Sequence, residues 1–146
     1  MGFNRSRKET IDYIKYIKSR KKSGNHECQF CAIHATSPQM IRETKNFKVI
    51  RNIFPYSVWD GSKVADHLML VPLLHTESLQ TLPPEAMQEF TQLISEYESE
   101  GYNIYARSPH SSMKSVAHQH THFIKPGKKH IRALFYIEKP DIRVIF

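Results

Sequence analysis

Three histidines alternate with polar residues in His118-Gln119-His120-Thr121-His122, and two cysteines stand three positions apart in Cys28-Gln29-Phe30-Cys31. On a β-strand successive side chains point to opposite faces, so His118, His120 and His122 would share one surface while Gln119, Thr121 and Phe123 share the other. Three imidazoles on one surface suit two kinds of chemistry. They can converge on a metal ion, for which imidazole is a common ligand. They can also support a nucleophile, because a neutral imidazole attacks phosphorus and its neighbours can fix its tautomer and take up the charge it acquires. In a reducing compartment the cysteine pair points to metal binding or redox chemistry before a structural disulfide. Redox is the weaker reading, since Gln29-Phe30 lacks the Gly-Pro of thioredoxins and the chain has no second thiol pair. A tetrahedral zinc needs two more ligands, and with no further cysteine these must be histidines. His26 and His34 are near enough in sequence to compete for that place.

Periodicity gives the elements that must position these residues. Glu9 to Arg20 carries Ile11, Tyr13, Ile14 and Ile17 at helical spacing with Lys and Arg between them, which predicts an amphipathic helix broken by Lys21 to Asn25. A polar stretch follows the cysteines. Phe47 to Asn52 alternates as a strand, ended by Phe54-Pro55-Tyr56. Ser57 to Asp66 reads as a loop around the turn signature Asp60-Gly61-Ser62, and it holds the only tryptophan, Trp59. His67 to Val71 is nearly all apolar and closed by Pro72, as for a strand covered on both faces. Pro84 to Glu100 is a second helix, with Met87, Phe90, Leu93, Ile94 and Tyr97 on one face, Pro84 in its first turn and Gly101 at its stop. Tyr102 to Arg107, Ser115 to Ile124, Ile131 to Glu138 and Asp141 to Phe146 are predicted strands, with a polar loop from Ser108 to Met113 and a turn at Pro126-Gly127. One long helix inserted among strands predicts an α+β fold with a mainly antiparallel sheet. At 146 residues the chain is one domain's worth. It divides into a helical extension (1–25), a core (26–125) and C-terminal strands (126–146).

The residues around the histidines carry a resemblance. His118-Gln119-His120-Thr121-His122-Phe123-Ile124 is similar to the His-φ-His-φ-His-φ-φ motif, φ being apolar, of the histidine triad family of nucleotide hydrolases and transferases. Gln119 and Thr121 replace two of its apolar residues. Asp66-His67-Leu68-Met69-Leu70-Val71-Pro72-Leu73-Leu74-His75 resembles the family's Gly-His segment ending in Pro-x-x-His, with Asp66 in place of glycine. Asn52-Ile53-Phe54-Pro55-Tyr56 is similar to its Asn-x-φ-Pro-Tyr stretch, and Met113-Lys114-Ser115-Val116 to its Gly-Gln-Ser/Thr-Val. The resemblance runs in order from Cys28 to Ile124 and implies the family's five- to six-stranded, mainly antiparallel sheet. It implies a catalytic set of His118, His120, His122 and His67, in which His120 attacks the α-phosphorus of a nucleotide. Histidine at His122, where transferase branches tend to have glutamine, favours hydrolysis. The nucleotide-binding residues it implies are Asn52 at a ribose hydroxyl, Ser115 at an α-phosphate oxygen, and Lys114 and Arg107 towards the leaving group. The family's glycine-rich loop is replaced by Ser108-Pro109-His110-Ser111-Ser112, and Trp59 either packs or stacks on a base. A zinc-bearing branch implies Cys28, Cys31, His75 and His118 as ligands of a structural zinc, which leaves His120 free; no catalytic metal is required. Members commonly form homodimers, and the strands after Gly127 are candidates for that interface.

The formal net charge of +7 and a pI near 9.5 draw phosphate-bearing partners, although a basic cluster is also an ordinary solvated face. No run approaches the roughly 20 apolar residues needed to span a bilayer. Met1 to Arg7 is polar and basic with no apolar core behind it, so a cytoplasmic location is expected. The reading is a hydrolase of nucleoside phosphate derivatives, of the dinucleoside polyphosphate or nucleoside phosphoramidate class, working through a nucleotidyl-histidine. Two rivals stand beside it. The charge suggests a nucleic-acid 5′-adenylate hydrolase, and Asp66 with the replaced loop suggests a nucleotide-binding module without turnover.

Overall fold

Ser6 and Glu9 open the first helix, α1 (Arg7–Lys22), as a capping box: Glu9 N–H donates to Ser6 Oγ at 3.3 Å and Ser6 N–H to Glu9 Oε2 at 2.7 Å. The same carboxylate bonds Ser57 Oγ, and Asn4 O accepts from the Ser57 and Val58 N–H groups at 2.7 and 3.3 Å. The start of α1 is thereby tied to the middle of the chain. The computed structural model describes residues 4–22, 27–131, 134–138 and 141–145; His26 lies outside them. Within them α1 turns Tyr13, Ile14, Tyr16 and Ile17 partly inward, while Ile11, expected on the same face, is exposed.

Six antiparallel strands form the main sheet: β1 (Met40–Glu43), β2 (Phe47–Arg51), β3 (Val58–Trp59), β4 (Ser62–Pro72), β5 (Asn103–Ala106) and β6 (Thr121–His130). The order is β1-β2-β4-β6-β5, with β3 paired to β4. A separate hairpin joins β7 (Leu134–Glu138) to β8 (Asp141–Ile145). Helix α2 (Pro84–Ser99) is inserted between β4 and β5, so the architecture is the predicted α+β one. Pro84 takes the first helical position, and Gly101, at φ 88°, stops the helix. Gly101 N–H reaches Glu98 O at 2.8 Å and Tyr102 N–H reaches Tyr97 O at 3.1 Å, the Schellman pattern, with the Tyr97 and Tyr102 rings in edge contact.

Alternation along the central strands builds two cores. Phe47, Val49, Leu68, Leu70 and Phe123 face α2, where Phe90, Leu93 and Tyr97 cover them. Ile50, Met69 and Val71 face the other way, towards Phe30 and Ile33 from the cysteine segment. Each large side chain so buried contributes about 1.5–3 kcal/mol.

Four readings need correction. Ser57 to Asp66 is a hairpin rather than a loop: Asp60 and Gly61, both at positive φ (46° and 69°), form a two-residue turn that pairs Trp59 with Ser62. The expected strand from Ser115 begins only at Thr121, because β4 and β5 offer no partner beyond Leu70 and Ala106. It then runs through Pro126-Gly127 without turning, by a bulge in which a Cβ on Gly127 would come within 2.9 Å of Lys63 O. Met40 to Glu43, part of the unassigned polar stretch, is the edge strand β1. No helix among the described residues is long and apolar enough to cross a membrane.

Candidate active site

The sheet face opposite α2 collects the chemistry. Lys48 and Asn52 come from β2 and its end, His67 from β4, Tyr105 from β5, and His120 and His122 from the approach to β6 and its second residue. His118 and His120 precede the ladder, yet their spacing keeps them on the side of His122. The ring centroids of His120 and His122 are 5.1 Å apart, and those of His122 and His67 are 5.0 Å apart. Phe30 stands against His120 at 5.0 Å, and Tyr56 stacks on His122 at 5.6 Å. All four histidines are buried.

Hydrogen bonding fixes the tautomers. His120 Nδ1 lies 2.8 Å from His118 O; a carbonyl only accepts, so Nδ1 carries the proton and Nε2 keeps its lone pair. Tyr56 N–H donates to His67 Nδ1 at 2.9 Å, which puts the His67 proton on Nε2. That Nε2–H donates to His122 Nδ1 at 2.9 Å, and the remaining His122 proton is therefore on Nε2. The result is one bare imidazole nitrogen beside one N–H. Desolvation keeps the rings neutral: it pushes His67 down to about 3, with Arg5 adding to the effect, and lowers His120 and sends His122 well below the ordinary 6.5.

Two cavities meet at His120 and His122. One of about 80 Å³ has apolar walls including Phe30, Ile50 and Met69, with Asn52 at its side and Tyr13 and Tyr16 of α1 over it. The other, of about 160 Å³, holds Arg5, Arg107, Tyr56 and Ser115. Ser115 is exposed and borders both. Asn52 is partly committed to the backbone: its Oδ1 accepts Phe54 N–H at 2.9 Å, a turn bond, while Nδ2 lies 3.2 Å from His67 Nε2. Lys114 borders neither cavity. Its Nζ donates to Glu77 O at 2.9 Å and lies 3.4 Å from Gln119 Oε1, so it supports the segment behind His120. Trp59 packs between Tyr56 and Tyr105 at 5.8 and 5.1 Å. Asp66, in place of glycine, accepts from Tyr102 OH at 2.7 Å. Arg5 carried no recognisable motif; its position just before the Ser6-Arg7-Lys8-Glu9 capping box was the only available signal.

Cys28, Cys31, His75 and His118 converge, with their donor atoms all within 4.8 Å of one another. His118 Nδ1 lies 3.4 and 3.5 Å from the Cys28 and Cys31 sulfurs, and His75 Nδ1 lies 3.2 Å from Cys31 Sγ. A tetrahedral zinc separates its sulfur and nitrogen ligands by roughly 3.6 Å, so the donor set fits that ion. His118 Nε2–H donates to Pro72 O at 3.1 Å, which leaves Nδ1 bare for a metal. His34 is exposed and outside the cluster. The buried Lys48, which sequence did not single out, donates from Nζ to Phe30 O at 2.6 Å and Ile33 O at 2.8 Å, bracing the cysteine segment. A larger hollow of about 480 Å³ adjoins Cys28, His75 and His118 and shares Gln29, Ser115 and Val116 with the apolar cavity.

No protein-family model and no curated protein matches the sequence. Among solved structures, a hypothetical histidine triad nucleotide-binding protein from Sulfolobus tokodaii aligns with a TM-score of 0.55 at 20% identity, over 77% of this chain and 78% of that one. A histidine triad protein from Clostridium difficile gives 0.52 at 22% identity, over 78% and 98%. A HIT family hydrolase from Legionella pneumophila gives 0.51 at 19% identity, also over 78% and 98%. At such identities the likeness speaks to the fold alone.

Proposed function

We propose, from the premise that this chain has the histidine triad fold, that it is a nucleotide hydrolase in which His120 Nε2 attacks the α-phosphorus of a nucleoside phosphate derivative. The observation that carries this reading is the 2.8 Å contact between His120 Nδ1 and His118 O, in a neutral ring bordering both cavities. In the first step the Nε2 lone pair forms a P–N bond as the bond to the leaving group breaks, and the leaving group keeps the electron pair. The imidazole becomes cationic, and the His118 carbonyl facing Nδ1–H stabilises that charge. His122 Nε2–H donates a hydrogen bond to a phosphoryl oxygen, with its orientation held by His67. Water then attacks phosphorus, the P–N pair returns to His120, and the water proton passes to solvent. The nucleoside belongs in the apolar cavity beside Asn52, with Ser115 at the phosphate. At about 80 Å³ that cavity is smaller than a nucleoside, so it must widen for substrate to enter.

A structural zinc on Cys28, Cys31, His75 and His118 belongs to the same proposal. When bound it supplies a clamp between the cysteine segment and the ends of β4 and β6, and His120 remains outside its ligand set. The test is single-turnover reaction with a labelled dinucleoside polyphosphate, quenched in base and read by intact mass. A nucleotidyl adduct is expected on the native protein, with none on His120→Ala and steady-state turnover at least about 10³-fold lower. Undiminished turnover in His120→Ala overturns the reading.

A further inference from the structure

Arg5 and Arg107 reach the 160 Å³ cavity from unconnected parts of the chain, one just before α1 and the other just after β5. Arg5 is fixed in place. Its Nε and Nη2 donate to Phe54 O at 3.1 and 2.7 Å, and its guanidinium lies 4.7 and 4.8 Å from the centroids of Tyr13 and Tyr56. The residues on either side of it, Asn4 and Ser6, are themselves bonded to Ser57. Arg107 rests over the Tyr105 ring at 5.4 Å, the ring that stacks on His122. Among the described residues, none that lines this cavity is acidic. Two guanidiniums lining one half-buried space repel each other. An anion seated between them relieves that repulsion, and arginine's planar fork suits phosphoryl oxygens.

We propose that Arg5 and Arg107 form a second anion subsite beside His120 that takes the phosphoryl group next to the one attacked. The inference rests on the hydrolase reading for what reacts, and it selects within it. Substrates are phosphoric anhydrides, whose leaving group is itself a phosphate, in preference to phosphoramidates with an uncharged amine leaving group. The helical extension is then part of the substrate site rather than an appendage, since it delivers Arg5.

The test combines binding and kinetics on the full chain. By calorimetry, native protein should bind inorganic pyrophosphate at least about tenfold more tightly than orthophosphate, and Arg107→Gln and Arg5→Gln should each weaken pyrophosphate binding at least about tenfold. Arg5→Lys, which keeps the charge and loses the fork, should fall between; if Arg5→Gln fails to fold, it and Arg107→Gln decide. Kinetically, the ratio of kcat/KM for a dinucleoside triphosphate over a nucleoside phosphoramidate should fall at least about tenfold in Arg107→Gln. Unchanged pyrophosphate affinity in Arg107→Gln, or equal losses on both substrates, overturns the subsite. Pyrophosphate binding that depends on Arg107, without any His120 adduct, would instead remove the hydrolase reading and leave the subsite standing.

Discussion

Thr121 and Gln119 both replace apolar residues in the histidine motif, yet the fold treats them differently. Gln119 has Lys114 Nζ at 3.4 Å from its Oε1, and its N–H donates to Thr76 O at 2.6 Å. The Thr121 hydroxyl is buried with no hydrogen-bond partner among the described residues, pressed between β4 and β5 on the α2 side. A desolvated hydroxyl without a partner costs free energy, and valine replaces it at nearly the same shape. Thr121→Val should therefore raise stability by about 1 kcal/mol in urea denaturation; a decrease would mean that the hydroxyl is satisfied in solution. Polar residues at these positions could be read from the sequence, but whether each found a partner depended on Lys114, five and seven positions away, and on strands from elsewhere.

At the scale of elements, β2 does two jobs through alternation: Phe47 and Val49 enter the α2 core, while Lys48 turns to the cysteine segment. An ammonium held by two carbonyls of that segment fixes the loop that carries Cys28 and Cys31, and its positive charge sits near both thiols. Lys48→Met keeps the length and removes the donors. Zinc affinity of the loaded protein, measured by chelator competition, should drop about 10–100-fold, as for other supports of metal ligands. An unchanged affinity in a folded variant would remove Lys48 from that role. The helices and the central strands were legible because each carries a long periodic face; α2 runs from Pro84 to Ser99 against an expected end at Glu100. The short strands β1 and β3 were not, since four and two residues carry too little pattern and exist only because β2 and β4 offer them open edges.

Across the whole molecule, neutral imidazoles buried between sheet and α1 link stability to pH. His67 falls to about 3 from an ordinary 6.5, so between those values the unfolded chain binds the extra proton. This contribution is complete above about pH 6.5 and is lost as the pH falls towards 3. Stability of the native protein should decline between pH 7 and 4, and His67→Asn should reduce that decline by more than about 1 kcal/mol; an equal decline in both would mean that His67 is not held neutral. Residue types and spacing by themselves determined the α+β class, the two helices, the common side of His118, His120 and His122, and a cysteine pair that lacked two ligands. Periodicity and donor chemistry are local, and local pattern suffices for these. Only the tertiary structure shows His75 and His118 within reach of the cysteines, carbonyls, a backbone N–H and a neighbouring ring setting the tautomers, and Arg5 and Arg107 lining one cavity. Most of those contacts join residues far apart in the chain, and only chain folding brings such residues together.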